Sequence, residues 1–91
     1  MHDTFLMERI YEEIIRLCRK NNIIKLELVV IGVNKNSHID EEEMHYFLEE
    51  RYDSIIGLWT DILIKKEEIE DNTAIIYSLI GERDEHEIVE K

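Results

Sequence analysis

This chain of 91 residues has one cysteine, three glycines, one tryptophan and no long apolar run, and its 11 Lys and Arg face 22 Asp and Glu. Each shortage excludes something. A lone Cys18 cannot close an internal disulfide, and inside a helical pattern it behaves as a small buried hydrophobe. One thiol also falls short of the four that a thiolate zinc site uses, so no structural zinc is expected. Gly32, Gly57 and Gly81 stand apart, so there is neither a glycine-rich phosphate loop nor a spaced glycine fingerprint, and no His-Glu-x-x-His pair occurs. An enzyme is not expected. No apolar stretch approaches the length of a membrane span, and the first twenty residues are too charged for a secretory signal, which makes the cytoplasm the expected compartment. A formal charge of −11 repels the nucleic-acid backbone and anionic lipid, so neither nucleic acid nor a membrane is an expected partner.

What remains is a chain with 44% apolar residues, enough for one domain with a modest core. Leu6, Ile10, Ile14 and Leu17 recur every three or four positions and predict an amphipathic helix from residue 4 to 20. Asp3 or Thr4 can cap it, Arg19 and Lys20 suit its C-terminal end, and Asn21-Asn22 breaks it. Ile23 to Val33 is β-branched and reads as a strand, with Leu26, Leu28 and Val30 on one face and Val29, Ile31 and Val33 on the other. Ser37 or Asp40 can cap a second helix whose first turn holds Glu41, Glu42 and Glu43 and whose inward side is Met44, Phe47 and Leu48, then Tyr52 and Ile55, with a stop at Gly57. Leu58 to Lys66 and Thr73 to Ile80 read as two further strands, joined as a wide β-hairpin.

The expected fold is therefore α/β of the α+β kind, in the order helix-strand-helix-strand-strand, with two helices on one face of a three-stranded mixed sheet. Residues 1–81 form the domain and 82–91 an acidic tail. The other face is left uncovered, and Val29, Ile31 and Val33 are expected to form an apolar strip there that a second copy or a partner covers, a homodimer being the simplest case.

The candidate site is the chain's beginning. Met1-His2-Asp3 runs directly into the first helical pattern, and a free end there supplies an α-amine, two backbone amide nitrogens and an imidazole in one short arc, a donor set suited to square-planar Ni²⁺ or Cu²⁺. His38 and His45 are seven apart and can share one side of the second helix if His38 stands at its entrance; Glu41 and His45 are one turn apart, a weak divalent pair.

The opening Met1-His2-Asp3 before a helix, the strand ending Ile31-Gly32-Val33, the Ser37-x-x-Asp40 helix entry and Phe47 within that helix resemble the nickel-binding domain of the HypA family over roughly the first eighty residues. The resemblance implies a metallochaperone that assists nickel insertion into nickel–iron hydrogenase, with Ni²⁺ held at Met1, His2 and Asp3. As partners it implies a nickel-handling GTPase of the HypB type and the hydrogenase large subunit. Position 3, glutamate in the family, is aspartate here. The family's zinc module, with two Cys-x-x-Cys pairs after the first two strands, has no counterpart in a chain whose only cysteine is Cys18. A non-enzymatic interaction module that keeps the fold but has lost metal transfer is the alternative.

Overall fold

A computed structural model describes residues 4–51 and 53–84. Helix α1 (Thr4–Lys20) is followed by strand β1 (Ile23–Asn34), helix α2 (Glu41–Glu49), strand β2 (Asp61–Glu67) and strand β3 (Ala74–Arg83). The three strands form one mixed sheet in the order β2-β1-β3, and both helices pack on one of its faces. Element order and architecture are those expected from the hydrophobic periods.

Local chemistry accounts for the helix boundaries. Leu6, Ile10 and Ile14 lie on the buried side of α1, with Met7, Ile15 and Cys18 beside them. Asn22 ends the helix in the left-handed region at φ 60°, a conformation that asparagine tolerates better than most residues. Asp40 caps α2, its carboxylate accepting the Glu43 amide at 2.8 Å, and Glu41, Glu42 and Glu43 place negative charge at the positive end of the helix. The helix is shorter than its pattern suggests. It stops at Glu49, and Ile55 and Ile56 reach the core from an irregular segment instead.

The last two strands do not form a hairpin. β2 pairs parallel to β1, β3 pairs antiparallel to β1, and β1 lies between them. The longest and most β-branched strand takes the position in which both edges are paired. The connection after β2 crosses the end of β1, where the Asn34 side-chain amide donates to the Ile69 carbonyl and the Lys35 amide to the Glu67 carbonyl at 2.8 Å. Asn72 turns the chain into β3 with φ 58°. β3 also outruns the expected tail boundary: Glu82 and Arg83 pair with Lys25 and Ile23, and the Asp84 amide donates to the Asn22 carbonyl at 2.8 Å.

The two faces of β1 are assigned opposite to expectation. Val29, Ile31 and Val33 have no exposure at all and sit beneath the helices, whereas Leu28 and Val30 are on the open side. The cause is an irregularity in pairing. Leu26 pairs with Gly81 and Leu28 with Ile80, which leaves Glu27 as an extra residue, and one extra residue inverts the alternation that follows it. Leu26 and Val29 are thus both buried although three positions apart.

The irregularity is held by the segment after α2. The Leu26 amide donates to the Ile55 carbonyl at 2.8 Å, and the Thr60 hydroxyl donates to the Leu26 carbonyl at 2.7 Å. Thr60, 2% exposed, also accepts the Gly57 amide at 3.2 Å. Backbone groups that an interrupted ladder leaves over thus find partners inside the protein. Burying Val29, Ile31 and Val33 contributes about 1.5–3 kcal/mol for each side chain.

Candidate interaction surfaces and the N-terminal end

Met1, His2 and Asp3 lie outside the described residues. α1 begins immediately after them, and Leu6 in its first turns lines a polar cleft of about 300 Å³ together with Asn36, Ser37, His38 and Asp71. His38 is therefore at the end of the molecule where α1 starts, in the loop before α2 and not on the helix.

His45 is elsewhere. It lies on α2 in a different cleft from His38, and its ring Nε2 donates to the Thr60 carbonyl at 3.0 Å while Nδ1 faces the Glu49 carboxylate at 3.5 Å. The two histidines do not share a helix side. Glu41, the other half of the expected weak divalent pair, accepts the Ile64 amide at 3.0 Å. Ile64 belongs to β2, the sheet's edge on that side, so Glu41 covers polar backbone that the edge would expose, and His45 satisfies the Thr60 carbonyl just before the strand. Among the described residues no group of three or more His, Cys, Asp or Glu side chains could hold a metal. Cys18 is buried in the core, and burial pushes its thiol up to about 11, with the nearby Asp53 carboxylate adding to the effect, so the reactive thiolate is scarce at neutral pH.

The open face of the sheet is apolar at its centre, though not through the residues expected. Its rows, read across β2, β1 and β3, are Asp61-Leu28-Ile80, Leu63-Val30-Ser78 and Lys65-Gly32-Ile75. Leu63, Tyr77 and Ile80 are about half exposed and Ile75 is 37% exposed. Val30 pairs with Ser78 and Ile31 with Ile76, which leaves Tyr77 as an extra residue of β3. Its ring reaches over Gly32 on β1, and its hydroxyl donates to the Glu67 carboxylate on β2 at 2.6 Å. A Cβ at Gly32 would stand 2.5 Å from Glu67 Oε1 and 2.7 Å from Tyr77 Cε2, so the absent side chain is what lets this bridge span three strands. The Lys65 ammonium lies 4.9 Å from the Tyr77 ring centre. The hydrogen bond to Glu67 pushes the Tyr77 phenol above its usual range, since donating to the carboxylate favours the protonated form.

Sequence periodicity places apolar residues on both faces of β1, and that much is correct. It cannot show which face the helices take, because the choice rests on one unpaired residue. Comparison of the chain with protein-family models, with curated proteins and with solved structures finds no match. No helix among the described residues is long and apolar enough to cross a membrane.

Proposed function

We propose that this chain is a non-enzymatic protein-interaction module with a HypA-like fold, working in the cytoplasm and meeting its partner through the open face of the sheet. The observation that carries this reading is the group of Leu63, Ile75, Tyr77 and Ile80, bulky apolar side chains left half in water on the face opposite both helices. A contiguous apolar surface of this kind marks a contact site more often than isolated exposed residues do. The resemblance over roughly the first eighty residues gives two partners to try first, a nickel-handling GTPase of the HypB type and the hydrogenase large subunit, and the uncovered apolar face gives a third, a second copy of the chain. Light scattering of the wild type alone and with each candidate, compared with a Leu63→Lys, Ile80→Glu variant, tests it. A complex that forms with the wild type and is lost in the variant is the expected outcome. Equal complex formation by both removes the open face from the reading.

A second reading is favoured by one specific feature, Met1-His2-Asp3 placed directly before a helix that starts at Thr4. Here the chain retains nickel handling: amine, amide nitrogens and the His2 imidazole hold one Ni²⁺, and Cu²⁺ competes strongly for the same planar donor set. Protons compete with the metal for these nitrogens, so affinity falls as pH is lowered. Calorimetry on untagged protein with a free N-terminus should show one Ni²⁺ per chain, and His2→Ala should abolish it. Equal nickel affinity in the two proteins excludes this reading and leaves the interaction module.

A further inference from the structure

A second surface lies on the opposite flank from β3, where α2 runs beside the edge of β2. The groove between them has a volume of about 570 Å³. Its apolar part is Tyr46, Leu58 and Ile62, and its acidic part includes Glu42, Glu49 and Asp61; no lysine or arginine lines it. Leu58 is 83% exposed and Tyr46 65% exposed, both unusually open for large apolar side chains. The Tyr46 hydroxyl bonds the Glu50 carboxylate, which pushes the phenol above its usual range and sets one more acidic group at the rim.

Folding leaves most of this groove without a counterpart. No lysine or arginine stands among its lining residues, the Glu49 carboxylate meets the His45 ring at 3.5 Å, and Leu58 is 83% exposed. Two copies of a chain of charge −11 meeting through it would bring like charges together. A partner of the opposite sign would gain from the acidic and the apolar part at once.

We propose that the groove between α2 and β2 docks a basic amphipathic segment of a partner protein, an apolar side chain of that segment seating against Leu58 and Tyr46 while its Lys or Arg side chains face Glu42, Glu49 and Asp61. The mode is that of a charged helix laid by its apolar side into a groove of complementary charge. The site meets the open sheet face only at Asp61 and does not depend on Leu63, Tyr77 or Ile80.

The test uses the full chain and a synthetic 14-residue peptide with leucines at helical spacing and lysines elsewhere, beside an all-lysine peptide of equal charge. Amide chemical-shift mapping locates binding, and calorimetry at moderate salt measures it. Saturable binding of the amphipathic peptide, with shifts concentrated at Tyr46, Leu58, Asp61 and Ile62, is expected. Leu58→Ser should weaken it about tenfold, and Glu42→Lys with Asp61→Lys should weaken it at least as much. All these positions are exposed except Ile62, which is left unaltered, so the variants should fold. A Leu63→Lys, Ile80→Glu variant should bind the peptide like the wild type, which separates this site from the open face. The proposal is overturned if the amphipathic peptide fails to bind, if the all-lysine peptide binds equally, if Leu58→Ser has no effect, or if shifts gather at Leu63, Tyr77 and Ile80. Self-association of the wild type that buries Leu58 overturns it as well, since a second copy is then the occupant.

Discussion

The two faces of β1 carry similar residue types and meet opposite fates. Beneath the helices, Val29, Ile31 and Val33 are sealed from water; on the other side, Leu28 and Val30 are partly open among the half-exposed Leu63, Tyr77 and Ile80. Composition does not separate the two sides. Pairing does: the extra Glu27 sets the phase of everything after it, and the Leu26 contacts with Ile55 and Thr60 hold that phase. Which apolar stripe becomes core is thus decided by polar backbone groups.

The largest effect should come from truncating one residue on each face. Ile31→Ala leaves a cavity in the covered face and should cost about 2–5 kcal/mol, whereas Leu63→Ala on the open face should change stability by less than about 1 kcal/mol. Urea denaturation of both variants measures the contrast, and similar losses would show that the open face is covered in solution. The next effect concerns the contact that holds the phase. Thr60→Val keeps the shape but removes the hydroxyl between the Leu26 carbonyl and the Gly57 amide, at an expected cost of about 1–3 kcal/mol. A variant as stable as the wild type would mean that the irregularity at Glu27 needs no support from the loop.

The smallest effect is on the open face itself. The Tyr77 phenol titrates above its unfolded value of about 10 because of the Glu67 hydrogen bond. A raised folded pKa gives a contribution to stability that is fully present below the unfolded value and is lost as pH rises through the folded one. Tyr11 and Tyr46 are raised as well, so ultraviolet titration of the tyrosines should show a late phase whose amplitude falls by one tyrosine in Tyr77→Phe. Gly32→Ala, which puts a methyl group where the ring and carboxylate meet, should move that part of the phase back towards the usual range. An unshifted titration in Gly32→Ala would show that the bridge does not need the bare backbone.

Much of this fold can be read along the chain, since its signals are local. The spacing of Leu6, Ile10 and Ile14 gives α1, Asp40 three residues before Glu43 gives the start of α2, and three β-rich runs give the strands. What escapes such a reading is non-local. That β3 pairs with β1 and not with β2 depends on contacts between residues some fifty positions apart, such as Leu28 with Ile80. The face exchange at Glu27 has no residue signature, because a glutamate on an exposed turn of the ladder looks like any other polar strand residue. The candidate surfaces follow the same division. Apolar residues on the strands are evident, but the open face needs the register, and the groove beside α2 needs Leu58 to be brought next to Tyr46 by a segment that has no regular period.

The route of the chain between β2 and β3 has a further consequence. Because each of these strands pairs with β1 alone, the stretch from Glu68 to Thr73 need not be a tight turn; it only bridges two opposite flanks of a finished sheet. Its middle, Glu70 to Asn72, is exposed. Closure entropy grows only with the logarithm of loop length, so doubling this linker adds about 0.6 kcal/mol. The polypeptide can therefore be lengthened here, even by an independently folding unit, without altering a single strand pair. Grafts into the exposed stretch from Glu70 to Asn72 should be accepted.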